Sequence, residues 1–78
     1  MTLPQALRFQ MEETGTTHAM LAQELETFSP NVSRWINLGS QPTPKFYDGL
    51  CDFLGISFEE LCVLIISTER EKDSRGPL

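Results

Sequence analysis

Five clusters of helix-starting and helix-stopping residues cut the chain into short pieces: Thr2-Leu3-Pro4, Gly15-Thr16-Thr17, Ser29-Pro30, the run Gly39-Ser40-Gln41-Pro42-Thr43-Pro44, and Gly55-Ile56-Ser57. The gaps between them suit helices of about two to three turns. Within each gap apolar residues recur three and four apart, and no segment has the period-two alternation of β-branched and aromatic residues that a strand needs. The expected fold is therefore all-α, a compact bundle of five short helices. With 78 residues there is one domain, and a chain of this size buries only ~60% of the surface that its unfolded form exposes. Its core is small, which favours self-association.

The individual helices follow from the same signals. Thr2 and Gln5 suit a capping box at the start of the first helix, with Leu3, Leu7 and Met11 on one face and Gly15 as the stop. Thr16 or Thr17 caps the second, which turns Leu21, Ala22 and Leu25 to the core. Ser29 is expected to cap the third, with Pro30 in its first turn and Val32, Trp35 and Ile36 buried. Thr43 and Pro44 start the fourth, where Phe46, Tyr47, Leu50, Phe53 and Leu54 are apolar. Gly49 inside that helix costs ~1 kcal/mol relative to alanine, so another element is expected to approach closely there. Ser57 and Glu60 make a second capping box, and the fifth helix should face the core with Phe58, Leu61, Cys62 and Ile65. The domain is expected to span residues 1–68, and the charged segment 69–78 to fray.

Several functional classes are disfavoured by what the chain lacks. The N-terminal residues carry no signal-peptide pattern, and the longest apolar run, residues 61–66, is too short to cross a bilayer. A cytoplasmic protein without membrane partners is expected. Cys51 and Cys62 are the only cysteines and His18 the only histidine, with no Cys-x-x-Cys pair. Metal binding and cofactors are not expected, and the thiols read as reduced core or interface residues. No Gly-rich phosphate loop or nucleophile with a base at motif spacing is present, so the chain reads as a non-enzyme. A net charge of −5 opposes phosphate binding, but its distribution matters. Residues 1–47 set Arg8, Arg34 and Lys45 against Glu12, Glu13, Glu24 and Glu26. Most of the acidic excess falls in residues 48–78.

The third helix carries the most informative polar pattern. Asn31, Arg34 and Asn37 recur every third residue away from the apolar face, with Ser33 beside them. Asparagine can bond adenine, and arginine guanine, through two hydrogen bonds each in the major groove. A polar outward face is also what any surface helix shows.

From about Leu7 to Leu64 the sequence resembles the XRE family, the Cro and lambda-repressor type of helix-turn-helix protein. The resemblance is carried by Leu21-Ala22 with Leu25, Val32-Ser33-Arg34-Trp35, Pro42, and Leu50-Cys51 through Leu54-Gly55-Ile56-Ser57-Phe58-Glu59-Glu60-Leu61. It implies a lambda-repressor-like bundle whose second and third helices form a unit that binds double-stranded DNA, the third in the major groove. A small phage- or prophage-type repressor fits that description. Asn31, Ser33 and Arg34 then become base contacts, with Asn37 at their edge. Lys45 matches a backbone-contacting position, His18 and Ser29 reach phosphates from helix N-termini, and Ser40 and Gln41 are weaker phosphate candidates. The chain departs from the family pattern at Gln10, His18 and Glu26, the last replacing the usual turn glycine. Gly39 also comes one residue late after Trp35.

Two further expectations concern partners. The fifth helix is apolar nearly all round, so Val63, Leu64 and Ile66 are expected to form a homodimer interface. The alternative to DNA binding is an acidic protein-interaction module, such as an antagonist, a complex subunit or an antitoxin, that recognises a protein partner.

Overall fold

The computed structural model describes residues 1–74, with side chains for residues 1–72. The elements in order are α1 (Leu3–Thr14), α2 (His18–Glu24), α3 (Ser29–Ser33) running directly into a wide π turn (Arg34–Leu38), a 3-10 turn (Pro44–Phe46), α4 (Tyr47–Leu54) and α5 (Phe58–Ser74). Among the described residues there is no strand, and no helix is long and apolar enough to cross a membrane. The fold is the expected all-α bundle of five helices.

Apolar spacing dictates the packing. Leu3, Leu7 and Met11 of α1 meet Leu21 and Ala22 of α2, Val32, Trp35 and Ile36 of α3 and its π turn, Phe46, Leu50 of α4 and Leu61 of α5 in one buried cluster. α1 lies at the middle, touching the π turn, α4 and α5, while α2 packs on α3. The tilted rings of Trp35 and Phe46, 5.1 Å apart between centroids, join the third helical segment to the fourth. Gly49 does mark a close approach: a Cβ there would overlap Cδ2 of Leu25. Gln10 replaces packing with a hydrogen bond, its Nε2 donating to the Phe53 carbonyl at 3.2 Å.

Three helix starts follow the sequence signals and two depart from them, the fourth because Thr43 makes no side-chain cap and Pro44–Phe46 forms a 3-10 turn before α4 begins at Tyr47. Thr2 and Gln5 form the full capping box on α1, and the Thr17 hydroxyl accepts the Met20 N–H at 3.1 Å. The Ser57 hydroxyl accepts the Glu60 N–H at 3.2 Å and donates to the Glu60 carboxylate at 3.4 Å. Ser29, however, is not a cap. The Phe28 carbonyl already accepts from Asn31 N and Val32 N, so Phe28 is the cap, Ser29 is the first helical residue, and its hydroxyl has no capping role.

The π turn explains the late Gly39. Gly39 N–H donates to the Arg34 carbonyl, five residues back instead of four, so the widened turn absorbs one additional residue before the chain reverses through the left-handed φ of 68° at Gly39.

Two expectations for the C-terminal segment need correction. Phe58 is 57% exposed and packs across Tyr47 with ring centroids 6.0 Å apart instead of joining the core. It is the first residue of α5, ahead of the turn that Leu61 buries. The segment after Thr68 is also helical as far as it is described. α5 continues to Ser74, held by a Lys72–Glu69 ion pair at 3.0 Å and by Thr68 itself. Residues 75–78 of the expected tail lie outside the described residues.

Thr68 is 6% exposed. Its hydroxyl donates to the Leu64 carbonyl at 2.7 Å and accepts the Leu3 N–H at 3.0 Å. One hydroxyl thus satisfies a free donor in the first turn of α1 from the far end of the chain. Thr68→Val keeps the shape and strands a buried N–H, so it should destabilise by ~1–3 kcal/mol in urea unfolding, whereas Thr68→Ser should retain most of the stability.

Candidate nucleic-acid interface

α2, the four residues 25–28 and α3 form one packed corner. The corner is set by the way α2 ends. Thr27 N–H donates to the Ala22 carbonyl at 2.8 Å and Glu26 N–H to the Gln23 carbonyl at 3.2 Å, the paired bonds of a Schellman motif. That motif needs a left-handed residue at its bend, and Glu26 takes the position with φ 57°. The glutamate therefore adopts the conformation that favours glycine, and the turn keeps its shape.

Burial of Val32, Trp35 and Ile36 leaves the opposite side of the third helical segment outward. Arg34 and Asn37 are exposed there, and Asn31 and Ser33 are half-buried on its flanks. Their side chains are already linked. Asn31 Nδ2 donates to Thr27 Oγ1 at 2.8 Å and Asn31 Oδ1 accepts from Arg34 Nη1 at 3.2 Å. In the second chain Asn37 Nδ2 donates to Ser33 Oγ at 3.0 Å, and Asn37 Oδ1 accepts from Nη2 of Arg8 at 3.2 Å. The same Arg8 nitrogen donates to the Ile36 carbonyl at 3.3 Å. Arg8 thus brings a second guanidinium from α1 to this surface. Sequence spacing does not single it out, because the contact bridges residues far apart in the chain.

The other expected site residues are scattered around this row. His18 is half-buried and lines a cleft with Arg8, Glu12 and Asn37. The exposed Lys45 holds its ammonium 5.0 Å from the ring centroid of Phe46, the ring that packs tilted against Trp35. Ser29 is half-buried in the first turn of α3. Ser40 is half-buried in the following loop, and its N–H donates to the Arg34 carbonyl at 3.2 Å. Gln41 is drawn toward α5 instead. Hydrogen bonds from Lys72 and Gln41 hold the Glu69 carboxyl below its ordinary range, so Gln41 stands beside an acidic group that disfavours phosphate. Exposed apolar residues also flank the row, with Phe28 76% and Leu38 69% exposed.

At the expected dimer face, Val63 and Ile66 are exposed, but Leu64 is half-buried against the core and belongs to the inner side of α5. Cys51 and Cys62 are free and half-buried. Burial, reinforced by Asp48, Asp52 and Cys62, raises the Cys51 thiol above its ordinary value and disfavours the thiolate. Among the described residues no three His, Cys, Asp or Glu side chains are grouped to hold a metal ion. No family model, curated protein or solved structure matches the chain.

The Glu26 conformation yields a direct test of the corner. Glu26→Gly removes the steric penalty of a side chain at positive φ, ~1–2 kcal/mol, against a smaller entropic loss, so a net gain of ~0.5–1 kcal/mol is expected in thermal or urea unfolding. Loss of stability in that variant would contradict the left-handed turn.

Proposed function

We propose that the protein is a sequence-specific, double-stranded DNA-binding transcription regulator of the helix-turn-helix type that reads the major groove with residues 30–38. One observation carries the reading: the outward row of the third helical segment presents Arg34 and Asn37, flanked by Asn31 and Ser33, on a helix whose other face is fixed in the core by Trp35. These side chains have the donors and acceptors that base edges require. Arg8, gathered to Asn37 from α1, and Lys45 add positive charge nearby, which supports contact with phosphates despite the acidic total. His18 and Ser29 are further phosphate candidates.

A second reading has its own support. Phe28 and Leu38 stand exposed near the two ends of the same segment, and apolar side chains framing a few polar ones also suit a protein partner. The two readings separate on salt. Titration of labelled duplex, followed by anisotropy, should show log K falling linearly with log salt, and Lys45→Ala should make the slope shallower by about 1. No binding even at low salt would favour the protein-interaction module.

Adjacent residues then divide readout from packing. With an operator selected from random duplexes, Arg34→Ala should weaken specific binding by ~1–3 kcal/mol and leave the circular dichroism spectrum unchanged. Trp35→Ala should cost ~3–5 kcal/mol of stability and unfold most of a domain this small. If Arg34→Ala bound like the parent, the third segment would not be the reading element.

A further inference from the structure

Two asparagine amides stand in the outward row of the third helical segment, and their anchors differ. The Asn31 oxygen is held by Arg34 Nη1 at 3.2 Å, a guanidinium that must let go when Arg34 turns to a base. The Asn37 oxygen is held by Arg8, which comes from α1 and is itself tied to the backbone. Arg8 Nη2 donates to the Ile36 carbonyl at 3.3 Å and to Asn37 Oδ1 at 3.2 Å. The first bond satisfies a carbonyl near the end of the segment, so the guanidinium keeps its place whichever way the amide is turned. A guanidinium has donors and no acceptor. Only the amide oxygen can face it, and an Asn37 amide turned end for end would set Nδ2 against it. On the other side Nδ2 donates to Ser33 Oγ at 3.0 Å. One N–H of the amide and one lone pair of its oxygen then remain for a ligand.

We propose that Arg8 is a positioning residue that sets which base pair Asn37 accepts. The inference rests on the DNA-binding reading and adds to it a determinant outside the reading segment. An amide matches adenine because N7 accepts and the N6 amino group donates side by side. A·T and T·A present that donor and acceptor in opposite orders across the major groove, so an amide fixed in one direction favours one pair over the other. An amide free to turn over matches either. Arg8 therefore acts on specificity without touching a base, because the pair that does not fit has to break the bond between Arg8 and Asn37.

The test uses the full chain and duplexes built on a selected operator, compared by anisotropy at one salt concentration so that charge lost from α1 cancels in each affinity ratio. Asn37→Ala identifies the base pair, as the one where the preference between A·T and T·A falls by about tenfold. Arg8→Met should lower the preference at that same pair by about fivefold and leave the pair read by Arg34 unchanged. Arg8→Gln keeps a donor for the Ile36 carbonyl but can also accept, so it should lower the same preference while retaining the backbone bond. Arg8→Lys, again only a donor, should stay within about twofold of the parent. Added to Asn37→Ala, Arg8→Met should change no ratio further. Arg8 and Asn37 are both exposed, and circular dichroism reports the folding of each variant. Parental preference in Arg8→Met and Arg8→Gln, or an equal loss at every base pair, would overturn the inference while leaving DNA binding in place. So would an Asn37→Ala variant with no altered pair. A parent that binds no duplex at any salt would overturn the DNA-binding reading and this inference with it.

Discussion

Burial of Trp35 decides how the rest of the third helical segment can be used. With Val32 and Ile36 it occupies the inner face, and its ring contact with Phe46 fixes the rotation of the segment about its own axis. Every outward residue inherits its direction from that contact. Arg34 points outward because its neighbour points inward, and Lys45 is placed by the ring next to it. In so short a segment the polar surface is a by-product of apolar packing, and any movement of the indole would rotate the polar row with it.

The polar row is also constrained before any partner arrives. Two hydrogen-bonded chains, Thr27–Asn31–Arg34 and Ser33–Asn37–Arg8, hold amides and guanidinium groups in defined rotamers. Ordering these long side chains costs conformational entropy, and here part of that cost falls on folding instead of on binding. In return, a ligand must offer bonds at least as good as those it displaces. That requirement penalises a poor match more than a good one, so it sharpens discrimination while limiting affinity.

Most of the fold was legible because local signals and tertiary packing agree. The capping residues Thr2, Thr17 and Ser57, the stops at Gly15, Gly39 and Gly55, and the inner faces of α1 to α4 all act over one or two turns, the range over which sequence spacing carries information. Gly49 was legible for a different reason: an unfavourable residue in a helix interior implies a neighbour that needs the space. Ser29 misled because proline can occupy the second helical position as well as the first. The continuation of α5 was hidden because its support comes from Thr68, a small polar residue at core spacing four after Leu64 and seven after Leu61. That spacing was a usable signal. Arg8 offered none, since its contact with Asn37 depends on how α1 lies across the π turn. The face of Leu64 was ambiguous on a helix apolar nearly all round, until the placement of Leu61 and Thr68 settled which side is inner.

The hydrogen bond between the Leu3 N–H and Thr68 Oγ1 joins residues 65 apart in sequence. A contact between residues so distant closes a large loop, so its ordering cost is met before the bond contributes anything. Until α5 docks on α1, the first-turn donor stays with water and the apolar side of α1 lacks the cover that α5 gives it. The two helices therefore depend on each other, and a cut between them would open the apolar surface of α1 to chaperones and proteases.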